Sequence, residues 1–174
     1  MRKTYKGKFT PKNTEKYAGD HTSIIYRSLW ERQVFKWADD NPNIEFWNSE
    51  EVVIPYVCET DNRVHRYFID MFLQTKDGRK FLIEIKPKSQ TVPPKKGARV
   101  TKRYLNESLT YIKNQSKWKA ATEFALDNGC TFDIWTEDKI EALGIKLLTK
   151  NPPKKKTKPK PKARKPVKKP TKSK

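Results

Sequence analysis

Asp70 and the triplet Glu84-Ile85-Lys86 set two carboxylates and an ammonium in otherwise apolar segments, Arg66-Tyr67-Phe68-Ile69-Asp70-Met71 and Lys80-Phe81-Leu82-Ile83-Glu84-Ile85-Lys86. Charged groups in such runs are costly to bury and are kept where a partner, a metal or a reaction uses them. The two carboxylates and the main-chain carbonyl of Ile85 make an all-oxygen donor set suited to Mg²⁺, with Mn²⁺ as a substitute. An ammonium beside that ion can orient an attacking water and stabilise charge growing on a phosphate. The chemistry implied is metal-assisted hydrolysis of a phosphodiester by one ion or two. Lys86 could act as the base only if its pKa fell far below the free value of about 10.4, so the orienting role is preferred.

Bringing these groups together depends on the connection Thr75-Lys76-Asp77-Gly78-Arg79. A three-residue loop with glycine last reads as a type I turn followed by a left-handed residue and a bulge, a conformation glycine takes without steric penalty. Thr75 then pairs with Arg79. Counting back along both strands sets Asp70 opposite Glu84, with Cβ atoms about 5 Å apart. A two-residue loop would shift the register by one and turn Asp70 to the other face. On the second strand Phe81, Ile83 and Ile85 alternate with Leu82, Glu84 and Lys86, and Pro87 ends the ladder.

A third carboxylate is expected on a helix capped by Thr22 or Ser23 and running to about Ala38. Its apolar stripe of Ile24, Ser28, Glu31, Phe35 and Ala38 carries Glu31 inward. Glu31 could position the metal, a second ion or a water, or it could pair peripherally with Arg27 or Arg32. A strand is expected over Glu51–Val57, where Pro55 favours an edge or a bulge. Val100 to Asn128 reads as a helix stopped by Gly129, and Cys130–Trp135 as a strand followed by a short helix to about Leu143. These elements predict an α/β fold, a mixed sheet of about four or five strands flanked by helices. Between the Glu84 strand and the long helix lies a basic loop, whose Lys88, Lys95, Lys96 and Arg99, with Arg27, are candidates for gripping nucleic-acid phosphates.

The 174 residues divide into a basic arm over 1–20, a domain over 21–150 and a tail over 151–174. The tail holds 12 Lys/Arg, 6 of the 12 prolines and no acidic residue, leaving 27 basic and 20 acidic side chains, or +7 of the net +19, in the first 150 residues. So polar a tail is expected to be disordered and to hold a polyanion through counterion release. The arm interleaves Tyr5, Phe9 and Tyr17 with lysines, a pattern that serves either base stacking or anchorage to its own domain; anchorage is the preferred reading. No run approaches a membrane span and no signal-peptide core follows the basic N-terminus, so an intracellular protein without membrane attachment is expected. Cys58 and Cys130 are expected as buried free thiols, and a zinc site is not expected, because neither His21 nor His65 has a ligand-spaced His or Cys nearby.

The order helix glutamate, Asp70, Glu84-x-Lys86 resembles the PD-(D/E)xK nuclease superfamily, with Ile69 in place of the motif's proline. Within it, Tyr17-Ala18-Gly19-Asp20, Tyr26-Arg27-Ser28-Leu29-Trp30-Glu31, Glu51-Val52-Val53-Ile54-Pro55-Tyr56 and Leu82-Ile83-Glu84-Ile85-Lys86-Pro87 resemble the head completion nucleases of large contractile-tailed bacteriophages. The N-terminal nuclease domain of a transposase subunit is similar too. The resemblance implies a restriction-endonuclease-like fold with Glu31, Asp70, Glu84 and Lys86 as the catalytic set. It also implies cleavage of DNA in the host cytoplasm or on the virion, trimming packaged DNA before heads join tails, with capsid, portal or neck proteins as partners. A DNA-binding or virion-structural protein without catalysis, and a transposase subunit or resolvase, are the alternatives.

Overall fold

The computed structural model describes residues 5–148; the first four residues of the arm and the whole of the tail lie outside them. Strand β1 (Gly7–Lys8) pairs antiparallel with β2 (Ile25–Tyr26), then come helix α1 (Leu29–Asp40) and strands β3 (Ile44–Asn48), β4 (Val53–Cys58), β5 (Arg63–Phe68), β6 (Met71–Thr75) and β7 (Lys80–Ile85). Helix α2 (Lys102–Asp127), strand β8 (Thr131–Trp135) and helix α3 (Glu137–Ala142) complete the order. The central sheet is four-stranded and mixed, β3-β6-β7-β8, antiparallel except for β7 with β8. β4 and β5 form a separate antiparallel ribbon. This is the mixed sheet with flanking helices that the sequence predicts.

Three elements differ from expectation. Helix α1 starts at Leu29 rather than at Thr22 or Ser23. Residues 25 and 26 are held extended by pairing with Lys8 and Gly7, and Ser28, at φ −140° and ψ 161°, accepts the Glu31 N–H at 3.1 Å as the cap. The segment carrying Asp70 is two strands, not one. Up to Phe68 it pairs with β4, and from Met71 it pairs with β3 and β7. Strand β3 is short, begins just after Pro42 and has no counterpart in the sequence reading.

β7 joins two cores. Ile83 and Ile85 pack with Val34, Phe35 and Ala38 of α1 and with Trp47 of β3, whereas Leu82 packs with Ile54, Tyr56, Tyr67 and, from α2, Ala121 and Ala125. The small side chains of Ala121 and Ala125, fully buried, let α2 lie close to the sheet. The N-terminal segment belongs to the first core. Phe9 meets Phe35 and Trp47 edge-on at 5.9 and 5.8 Å, and Tyr17 meets Trp47 at 4.9 Å. Buried Asp39 fastens the same segment by accepting the backbone N–H groups of Lys12 and Asn13 at 2.7 and 3.2 Å.

Candidate active site

The hairpin turn takes the three-residue form. Gly78 sits at φ +86°, its N–H donates to Thr75 O and the Thr75 N–H donates to Arg79 O, each at 2.9 Å. Met71 therefore pairs with Ile83 and Phe72 with Leu82, a register that carries Asp70 to the level of Glu84. There the ladder is replaced rather than continued. Around Ile69 the chain still bonds toward β4, its N–H to Val52 O and its carbonyl from Glu50 N, so the backbone at Asp70 is crossing from ribbon to sheet. The side chain fills the gap: Asp70 Oδ2 accepts the Ile85 N–H at 2.8 Å. Asp70 thus occupies a bend at the ribbon-to-sheet crossing, not the strand pair expected from the sequence.

Glu84, 2% exposed, faces the α2 and ribbon side of β7 together with Leu82. Its Oε2 accepts from the Tyr67 hydroxyl at 2.7 Å and its Oε1 meets Lys86 Nζ at 2.8 Å. The same ammonium lies 3.7 Å from Asp70 Oδ2. Burial, then the Glu84 charge, push the Asp70 carboxyl well above its ordinary value, while Lys86 opposes the shift. Burial lowers the Lys86 ammonium, but Asp70 and Glu84 together outweigh it and hold the group protonated far above neutrality. Two crowded carboxylates with one ammonium between them fit a hard divalent cation, which would relieve the same repulsion through oxygen ligands.

Glu31 is the third residue of α1, and its Oε2 accepts the Arg27 N–H at 2.6 Å while Ser28 Oγ accepts the Glu31 N–H. This is a variant of the capping box in which the carboxylate takes the N–H of the residue before the N-cap, a structural use that the inward stripe does not disclose. Burial nevertheless raises the Glu31 pKa, and Lys86 and Asp70 both exchange charge interactions with it, so it borders the cluster. The Arg27 guanidinium binds both oxygens of Glu50, through Nη2 at 2.9 Å, rather than Glu31. Lys88 pairs with Asp138 at 2.6 Å. Lys95, Lys96 and Arg99 are exposed, and among the described residues none of them forms an ion pair.

Tyr67, Glu50 and Lys117 do not stand out in the sequence. Tyr67 alternates inward with Ile69, which marks it as core, and only the fold shows that its hydroxyl ends on Glu84. The Lys117 ammonium of α2 stands 5.1 Å above the Tyr67 ring. One expectation needs correction: His65 does have ligand-type neighbours, because the ribbon turn gathers Cys58, Asp61 and His65 with ligand atoms within 4.8 Å of one another. Chain spacing hides this group, since the pairing of β4 with β5 assembles it. Its members are already engaged, His65 Nε2 with Asp61 Oδ2 at 2.9 Å and Cys58 Sγ with Thr60 Oγ1 at 3.1 Å, and it lies at the end of the ribbon away from Asp70. Both cysteines are free, Cys58 buried but Cys130 only half-buried.

The chain is similar to known nucleases. A family model described as TnsA-like endonuclease N terminal matches residues 41–137. The head completion nuclease of Enterobacteria phage T4 is 48% identical over 146 residues, covering 82% of this chain and 97% of that protein.

Proposed function

The chain belongs to the TnsA-like endonuclease family, and from that membership and the site's geometry we propose that it is a Mg²⁺-dependent deoxyribonuclease acting in phage head completion. The observation that carries the reading is Lys86 Nζ set between Glu84 Oε1 at 2.8 Å and Asp70 Oδ2 at 3.7 Å, at the end of a strand buried on both faces. Asp70, Glu84 and the Ile85 carbonyl would hold the cation, with Glu31 at its border. When bound, the ion supplies Lewis acidity, lowering the pKa of water and offsetting charge on the scissile phosphate. Lys86, kept an ammonium by its two carboxylate neighbours, donates hydrogen bonds that orient the attacking water and the phosphate oxygens. Buried Ile83 and Ile85 and the Asp70-to-Ile85 bond fix these groups against β7, so little reorganisation accompanies reaction.

The substrate role of DNA is supported by the cations of the basic loop. Lys95, Lys96 and Arg99 are placed to bind phosphates, whereas Arg27 and Lys88 would first exchange Glu50 and Asp138 for them. The phage T4 relative is named a head completion nuclease, which supports a role in head completion; trimming of packaged DNA, with capsid, portal or neck proteins as partners, is part of the same proposal. Replacing Glu84 by Ala in the full chain is expected to lower plasmid cleavage in Mg²⁺ by at least about 100-fold. Cleavage at the wild-type rate by a contaminant-free Glu84→Ala preparation would overturn the assignment.

A further inference from the structure

We infer that Tyr67 is a positioning residue that confines Glu84 to one metal-facing oxygen and thereby sets which divalent ions the site accepts. The inference rests on the proposed metal site. Tyr67 is 2% exposed and lies among Ile54, Tyr56, Ile69 and Leu82, and its hydroxyl donates to Glu84 Oε2 at 2.7 Å. That oxygen is therefore committed toward the apolar core, where leaving it without a donor would be costly. Oε1 points the other way, to Lys86 Nζ. A carboxylate with one oxygen tied into a dry core offers a cation a single ligand atom.

Single-oxygen coordination suits some ions better than others. Mg²⁺ takes six ligands in near-ideal octahedral geometry and keeps several waters, so it needs few protein oxygens. Ca²⁺ takes six to eight oxygens and often gains them through bidentate carboxylates, which the Tyr67 hydroxyl denies it here. The restraint on Tyr67 comes from outside the metal cluster. Lys117 of α2 stands 5.1 Å from the centre of its ring and 6.0 Å from that of Tyr56, a cation–π contact that ties the ring to α2. Tyr67 also belongs to β5, whose pairing with β4 fixes the height of the hydroxyl relative to β7.

The test is calorimetric titration of the full chain with Mg²⁺ and with Ca²⁺, for wild type, Tyr67→Phe and Glu84→Gln, without DNA. Tyr67→Phe is expected to raise the Ca²⁺-to-Mg²⁺ affinity ratio at least several-fold, because Oε2 becomes free to turn toward the ion. An unchanged ratio in Tyr67→Phe, with Glu84→Gln losing Mg²⁺ affinity, would overturn the role of Tyr67 and leave the metal site standing. Mg²⁺ affinity unchanged in Glu84→Gln would overturn the site itself. A measurement on the wild-type fold covers the case in which Tyr67→Phe does not fold: infrared difference spectra against Glu84→Gln should show the wide carboxylate splitting of monodentate binding with either ion. A narrow, bidentate splitting with Mg²⁺ would refute the inference.

Discussion

Glu31 and Asp70 show how far a carboxylate's role can be read from its position in a sequence. The inward phase of Glu31 is correct, yet that phase is shared by a metal-bordering group and by a capping-box glutamate, and here the side chain accepts the Arg27 N–H. The two uses separate on substitution. Glu31→Gln keeps an acceptor for the cap and should retain stability while losing cleavage; Glu31→Ala should also lose about 1 kcal/mol in denaturant unfolding. Asp70 is legible as a charged residue in an apolar run, but its bend is not, because local pattern does not tell where a chain changes pairing partners. Its raised carboxyl makes ionised Asp70 a burden on the metal-free fold. Asp70→Asn should therefore stabilise the metal-free protein at pH 7 by on the order of 1 kcal/mol. The sign follows from the shift: the penalty is present at neutral pH and falls away as pH drops through the raised folded value toward the ordinary 3.8. Thermal unfolding of the two proteins should show a gap that narrows on acidification.

Among the elements, the β6–β7 turn is the most legible, since glycine at the third loop position has few conformations that close a hairpin. A Cβ added at Gly78 would meet nothing within 4 Å, so Gly78→Ala should cost only the left-handed backbone, about 1–2 kcal/mol in denaturant unfolding, with cleavage retained by the folded fraction. Helix α2 is legible in extent, 26 residues from Lys102 to Asp127 against an expected 100–128, but only partly in packing. Leu105 and Leu109 are 51% and 48% exposed because, at about 100° per residue, they lie well over a quarter turn around α2 from Ala121 and Ala125, whose face packs into the core. A local i, i+4 pair of apolar residues marks a helix but does not tell which face of a long one is covered. β1 and β2 fall below legibility for a different reason. Two-residue strands carry no alternation, and they displace the expected start of α1.

Taken whole, the molecule separates charge from chemistry. The first 150 residues carry +7 and the last 24 carry +12 of the net +19, while the proposed site is a small cluster of mutually compensating charges. Removing residues 151–174 should weaken DNA binding and flatten its salt dependence by about 0.9 in log-log slope for each phosphate the tail no longer neutralises, measured by titration across salt concentrations. The proposed metal requirement of cleavage should be unaffected. The crossing at Asp70 has a further consequence for the molecule as a whole. Ribbon and central sheet are separately hydrogen-bonded units, and the chain passes from one to the other at a carboxylate whose proposed counterpart, Glu84, belongs to the sheet while taking its hydrogen bond from the ribbon. A cation held there is a clasp across the seam. By linkage, an ion at 100 times its dissociation constant would add about 2.7 kcal/mol to folding, and amide exchange at the ribbon-to-sheet crossing would slow in step with metal occupancy, which ties the rigidity of the fold to its readiness to cut.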